Sequence, residues 1–223
     1  MLCILQSRMS SRRLPGKMMM DFNGRPLLGR VLDRLSASIK ISKIVIATSV
    51  DESDDKIEEF SKREGFFCYR GSLNDVAGRF LGAATQENAP AFVRINGDSP
   101  FIDPRIVDFA ICLFELGNAD LVTNVLTRTF PKGQSVEVLL TETFAKSYNK
   151  LCDSLQREHV TKLYYDEPGE YRITSFTSGG DFSNVNMCVD TDEDKRAVVN
   201  ALEKVNNAPQ DWKSLIPLFQ ELK

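Results

Sequence analysis

Along residues 1–125, short runs of apolar, β-favouring residues alternate with stretches of helical periodicity, and that alternation limits the folds open to the chain. "LCILQ" (2–6), "KIVIATS" (43–49), "FFCYR" (66–70), "AFVRI" (91–95) and "DLVTNV" (120–125) read as strands. Four amphipathic stretches lie between them. "PLLGRVLDRLSAS" (26–38) carries Leu27, Leu28, Val31, Leu32 and Leu35 on one helical face. "DESDDKIEEFSKREG" (51–65) has acids early, bases late and Gly65 at its end, the order a helix dipole prefers. "NDVAGRFLGAATQEN" (74–88) reads as a helix with Asn74 as its expected cap, and "PRIVDFAICLFELG" (104–117) as one with Pro104 in its first turn.

A strand–helix–strand series of this kind implies a parallel sheet with right-handed crossovers and helices on both faces. The expected class is therefore α/β with a mostly parallel central sheet. Ligands of such sheets bind at the carboxyl ends of the strands. After residue 125 the alternation stops. "RTFPKGQSVEVLL", a helix, and "REHVTKLYYDEPGEYRITSF" read as an inserted excursion, about 126–180. A last strand ending at Asp190 and a last helix are expected from "NVNMCVDTDEDKRAVVNALEKV". Without a repeat, low-complexity segment or linker, a single domain over 1–223 is the economical reading.

A chain of 223 residues can bury a full core, and 42% apolar with 26% charged residues is an ordinary balance. The net charge of -3 argues against general nucleic-acid binding. No apolar run has the length of a membrane-crossing helix, and "MLCIL" is too short for a signal-peptide core, so a cytoplasmic protein without membrane partners is expected. The five cysteines contain no CxxC, which disfavours a disulfide framework and a structural zinc site. The single histidine, His159, excludes multi-histidine metal sites. A bound metal would need carboxylates, and that favours a hard ion such as Mg2+.

Three segments offer chemistry. The loop "QSRMSSRRLPGKMMM" (6–20) follows the first strand and holds Arg8, Arg12, Arg13 and Lys17 with no acid. Exposed backbone N–H groups with Arg and Lys suit a polyphosphate, although the spacing matches neither GxxxxGK[ST] nor GxGxxG. The alternative is a solvated basic loop turning at Pro15-Gly16. In "VRINGDSPFIDP" (93–104), Asp98 follows Gly97 at the carboxyl end of a strand, where a carboxylate can hold Mg2+ on a triphosphate and Asn96 can offer an amide to a base. On local sequence alone a β-turn is the better reading there. In "CVDTDEDKRAV" (188–198), Thr191 with Asp194 resembles a capping box. The three acids that follow serve the helix dipole, whereas Asp190, at the end of the expected strand, precedes the cap and can point out of the sheet edge as a second carboxylate beside Asp98. His159, with Arg157 and Glu158 at an expected helix start, reads as a structural or interface residue rather than a general base.

Taken together, the chain resembles the cytidylyltransferases that make CMP-activated sugars, of the spore-coat polysaccharide biosynthesis type related to acylneuraminate and CMP-Kdo synthetases. "QSRMSSRRLPGK" matches that family's QARMxSxRLPGK, and "GRPLLGRVLDRL" its G-[KR]-P-L-L. "VRINGDSPFIDP", "RGSLNDV", "REHVT" (157–161) and "VDTDED" (189–194) match further family segments in order along nearly the whole chain. The resemblance implies a GT-A-like (Rossmann-like) nucleotidyltransferase fold and the reaction of CTP with a sugar acid, nonulosonic or ulosonic, to give a CMP-sugar and pyrophosphate. It implies that Arg8, Arg13 and Lys17 clamp the triphosphate and act with Asp98 in catalysis, and that Asp98 and Asp190 hold Mg2+. Gln6, Ser7, Arg8, Arg70, Asn74, Asn96 and Gly97 would contact the nucleotide, with Asn96 and the Arg70–Asp75 segment facing the cytosine or ribose. The inserted region would cover the sugar pocket and form the interface of a homodimer.

Such a transfer needs cations, metal and positioning rather than a covalent nucleophile, in keeping with the residue types present. Three positions depart from the family pattern: Ser10 in place of Gly, Arg12 in place of a small residue, and Ser135 where Asp is common. They leave open two alternatives, a transferase for another nucleotide and a degenerate nucleotide-binding homologue.

Overall fold

The computed structural model describes residues 1–205 and 211–220. Its strands are β1 (Leu2–Gln6), β2 (Lys43–Ser49), β3 (Phe67–Gly71), β4 (Ala91–Asn96), β5 (Leu121–Thr123), β6 (Glu137–Leu140) and β7 (Ile173–Ser175). Its helices are α1 (Leu27–Leu35), α2 (Asp55–Arg63), α3 (Val76–Gln86), α4 (Pro104–Leu116), α5 (Thr141–Tyr148), α6 (Ser154–Glu158), α7 (Lys162–Asp166), α8 (Asp192–Lys204) and α9 (Trp212–Gln220). The strands form one sheet in the order β3-β2-β1-β4-β6-β5-β7. β1 lies between β2 and β4, parallel to both, with Gln6 in register with Ala47 and Asn96. β3 continues the parallel half beyond β2, while β6 runs antiparallel between β4 and β5.

Alternation along β1 explains the layering. Cys3 and Leu5 face one core with α1, α2, α4, α8 and α9, whereas Leu2 and Ile4 face a second core with α3, α5 and α7. Both sheet faces are thus covered, as continuous apolar strands require. Each fully buried Leu or Ile in these layers contributes roughly 1.5–3 kcal/mol.

Several sequence expectations need correction. α3 begins one residue later than Asn74 allows, and Asp75 caps it by accepting from Gly78 N at 2.8 Å. The 51–65 stretch divides into a 3-10 turn, Glu52–Asp54, and α2. It divides because the Asp54 side chain turns into the interior. The last strand does not form. The ladder position beside β4 is already taken by β6. Residues 185–189 instead cross the loops, with Met187 N donating to Lys132 O at 2.9 Å and Val189 N to Asp98 O at 2.9 Å. The 126–180 region supplies β6 and β7 to the same sheet. Among the described residues, no helix is long and apolar enough to cross a membrane.

Candidate active site

The basic loop is anchored at both ends. Ser7 N donates to Ala47 O at 3.1 Å, and Met9 N to the Asp54 carboxylate at 2.6 Å. Asp54 is fully buried and also accepts from Ser49 N at 3.0 Å and from the Ser49 hydroxyl. Leu14 and Met18 insert into the core, so Arg12 and Arg13 stay exposed while Lys17 is drawn inward. The Lys17 side chain is only 7% exposed. Its Nζ donates to Val189 O at 2.6 Å, to Asp190 Oδ1 at 3.0 Å and to Asp98 Oδ2 at 3.4 Å. The second oxygen of Asp190 meets Arg13 Nη2 at 2.8 Å. One ammonium thus joins three segments that the sequence keeps far apart.

Each carboxylate has a local cause for its position. β4 ends at Asn96, and Gly97 N turns back onto Gln6 O at 2.8 Å. A Cβ at Gly97 would lie 2.7 Å from that oxygen, so only glycine lets the turn pass. The turn expected of Asn-Gly-Asp forms, and it places the Asp98 carboxylate beside Lys17 Nζ. Asp190 is fixed by the capping box of α8: Asp190 N and Thr191 N both donate to Asp194 Oδ2 at 2.9 Å.

The other expected residues are distributed as follows. Gln6 and Asn96 are neighbours on β1 and β4, and their side-chain oxygens both accept from Arg94 Nη2 at 3.4 Å. Ser7 is buried and its hydroxyl has no partner among the described residues. Arg8 reaches across to Glu158, 150 residues on, at 3.1 Å. Arg70 sits at the same sheet edge, but all three of its nitrogens meet protein acceptors: Ser49 O, Asp51 O, and the Asp55 and Glu58 carboxylates. Asn74 is exposed. His159 lies exposed just past the end of α6, not at a helix start.

Beside the two carboxylates opens a cleft of about 580 Å³, bordered by Arg13, Asn96, Asp98 and Asp190 and closed by Arg128, Lys132 and Ser135 from the inserted region. Arg128 Nη1 contacts Ser135 Oγ at 3.4 Å. Gly133, at φ 97°, brings this wall against Met187, whose carbonyl carbon would be 3.1 Å from a Cβ there. Cys188 also borders the cleft. Burial, with the Asp98 charge beside it, pushes its thiol far above the ordinary range, which removes it as a thiolate nucleophile.

Sequence reasoning missed three supports of the site: Asp54, the Arg94–Glu137 pair and Glu158. Asp54 was hidden in an acidic run that suits a helix dipole. Glu137 lies in an apolar strand and pairs with Arg94 through the β4–β6 register, a relation between strands that no local pattern carries.

Comparison with known proteins follows this geometry. The family model described as Cytidylyltransferase matches residues 2–220. The spore coat polysaccharide biosynthesis protein SpsF of Bacillus subtilis is 30% identical over 216 residues, 93% of this chain and 88% of that protein. A 3-deoxy-manno-octulosonate cytidylyltransferase of Chlorobaculum tepidum is 33% identical over 113 residues, 50% of this chain and 44% of that protein. The solved structure of a cytidylyltransferase from Leptospira borgpetersenii superposes with a TM-score of 0.94 at 30% identity, covering 99% of this chain and 94% of that one. A CMP:2-keto-3-deoxy-manno-octonic acid synthetase solved with CTP shares the fold, with a TM-score of 0.70 at 16% identity over 92% of this chain and 99% of that one.

Proposed function

Because the chain belongs to the cytidylyltransferase family, we propose that it transfers CMP from CTP to a sugar acid of the ulosonic or nonulosonic class, with Mg2+ and with release of pyrophosphate. The observation that carries this reading is the buried Lys17 ammonium between Asp98 and Asp190 at the carboxyl edge of the parallel strands, next to a polar cleft. An exposed loop that only solvated its charges would not bury a lysine against two acids.

The donor set suits Mg2+. Asp98 and Asp190 offer hard carboxylate oxygens gathered on one cation, and no group of three or more His, Cys, Asp or Glu side chains among the described residues forms a closed metal cage. Mg2+ is usually held by one or two carboxylates together with substrate phosphates and water. When bound, the ion neutralises charge on the phosphate oxygens. Arg8, Arg13 and Lys17 would exchange their present carboxylate partners for the β- and γ-phosphates. In the reaction a sugar hydroxyl oxygen bonds to the α-phosphorus, the bond to pyrophosphate breaks, and the hydroxyl proton passes to solvent water. The cations stabilise the leaving pyrophosphate, the main demand of such a transfer. Arg128 and Lys132, on the wall contributed by the inserted region, give the cleft positive charge suited to an acidic acceptor. A homodimer belongs to the same reading and rests on the family resemblance; light scattering of the purified chain tests it.

Thermal unfolding with each nucleoside triphosphate, with and without Mg2+, tests the nucleotide, and pyrophosphate release with a panel of sugar acids tests the acceptor. At a hundred times its dissociation constant a ligand adds about 2.7 kcal/mol, or a shift of roughly 5–11 °C for a chain of this size. The expected result is a shift with CTP that grows with Mg2+, followed by sugar-acid-dependent pyrophosphate release. A shift with another triphosphate alone would replace CTP in the reaction.

A further inference from the structure

We infer that Ser135 sets the charge of the acceptor this cleft takes: it places a hydroxyl rather than a carboxylate against Arg128, and so leaves Arg128 and Lys132 uncompensated for the carboxylate of a sugar acid. The inference rests on the proposed transfer to such an acid, and it names the residue that selects for the charge.

Three acids and three cations border the cleft, and they are partnered unequally. Asp98 and Asp190 share the Lys17 ammonium, and Asp190 also holds Arg13. Asp194 accepts from two backbone N–H groups and from Asn186 Nδ2. The acids are therefore occupied within the protein. The wall of the inserted region is different. Among the described residues, Arg128 makes one polar side-chain contact, to Ser135 Oγ at 3.4 Å, and neither it nor Lys132 forms an ion pair. A long contact with a neutral hydroxyl leaves the guanidinium charge unbalanced. Arg128 and Lys132 are both exposed, and Ser135 is half-buried. Two like charges bordering one cleft repel each other, and an anion there relieves the repulsion.

The backbone under this wall is fixed. Beside Arg128, Thr129 accepts from Phe182 N at 2.8 Å through its carbonyl and from Ser178 N at 2.9 Å through its hydroxyl. Lys132 N donates to Val185 O at 2.9 Å. Ser135 stands between two anchors. Gln134 is fully buried, with Nε2 donating to Phe101 O at 2.7 Å and Oε1 accepting from Asp103 N at 2.9 Å. Val136 N donates to Asn124 Oδ1 at 2.9 Å. The three positions are thus set by folding, and an acceptor need order only two side chains to use them.

In a ring-closed ulosonic or nonulosonic acid, one carbon carries both the attacking hydroxyl and the carboxylate. A group that holds the carboxylate therefore also aims the hydroxyl. A guanidinium suits this task, because its planar fork meets a carboxylate with two parallel hydrogen bonds. A carboxylate at position 135 would take up Arg128 and would repel an acidic acceptor as well. Ser135 does neither. It is a positioning residue that acts through Arg128.

The test measures pyrophosphate release, in CTP and Mg2+, with 3-deoxy-manno-octulosonate and N-acetylneuraminate and with the methyl ester of each, which keeps the sugar and removes the charge. The proteins are the wild type, Ser135→Asp, Ser135→Asn and Arg128→Gln. The wild type is expected to favour its acid over the ester in kcat/KM by about tenfold or more, the scale of one charge-assisted hydrogen bond. Ser135→Asp should bring that ratio close to one, through a higher KM for the acid. Ser135→Asn adds the same bulk without charge and should retain more of the ratio. Arg128→Gln should lower the ratio as Ser135→Asp does, and it decides the matter if Ser135→Asp fails to fold. A ratio that stays at the wild-type value in Ser135→Asp and Arg128→Gln would overturn the inference. So would a rise in the KM for CTP in place of the acceptor, which would assign the wall to the triphosphate. A wild type that uses acid and ester equally would overturn it and leave the transfer of CMP intact. Turnover of neither acid would overturn the inference and the sugar-acid reading together.

Discussion

Lys17 shows how much one side chain can organise. It sits between two carboxylates whose mutual repulsion it removes, and its third contact, Val189 O, sets the height of the segment that carries Asp190. Asp98→Asn keeps the size of the side chain and removes its charge. Turnover should fall by about 10²–10³, the scale for loss of one preorganised electrostatic group, with little change in Tm. Wild-type turnover at matched Mg2+ would refute the role given to Asp98. Glu137 is a different kind of residue. It is buried, bonded to Arg94 and to the Tyr165 hydroxyl, and Arg94 in turn holds the side chains of Gln6 and Asn96. Removing one partner of such a pair strands the other charge. Glu137→Ala should therefore cost about 3–5 kcal/mol, a fall in Tm of roughly 6–20 °C measurable by calorimetry.

At the scale of elements, the site is built from the ends of strands and the starts of helices. The capping box of α8 serves twice. Thr191 and Asp194 satisfy the helix start, and Asp194 also accepts from Asp190 N and from Asn186 Nδ2 at 2.7 Å. Asp194→Ala should lower stability by about 0.5–2 kcal/mol, as loss of a cap does, and should lower turnover because Asp190 loses its anchor. A drop in stability without any kinetic change would separate the cap from the site. The strands of the parallel half and the helices α1 and α4 were legible in the sequence because their periodicities are local. The capping box and Pro104 in the first turn of α4 were legible for the same reason. The fate of 185–189 was not, since an extended apolar run forms a strand only if a sheet neighbour is free to pair with it.

For the whole molecule, an ion pair beside the β5–β7 ladder joins Asp120, just before β5, to Arg172, just before β7. Asp120 accepts from Arg172 through both carboxylate oxygens, at 2.8 and 3.0 Å, and from the Thr143 hydroxyl at 2.8 Å. The Arg172 guanidinium holds the Asp120 carboxyl far below the usual carboxylate range. A depressed acid contributes stability that is complete above its unfolded pKa, about 3.9, and is lost as pH falls toward the folded value. Tm should therefore decline between about pH 4 and pH 2 more steeply in the wild type than in Asp120→Asn, as thermal melts across that range would show. Equal slopes would mean that other carboxylates govern the acid limb.

The sequence by itself determined the α/β class and the parallel strands of the first half, because periodicity, capping and turn chemistry act between near neighbours, while Arg13, Lys17, Asp98 and Asp190 were expected together only through the family resemblance. The tertiary structure alone decided that β6 enters antiparallel beside β4, which displaces 185–189 from the sheet and carries Asp190 over Asp98 onto Lys17. It also decided that Arg70 is held by protein acceptors while Arg79 is buried beneath the loop that follows. The longest of these pairings, Lys17 with Asp190, spans 173 positions, and the energies of all of them depend on which neighbour reaches each site in the folded core.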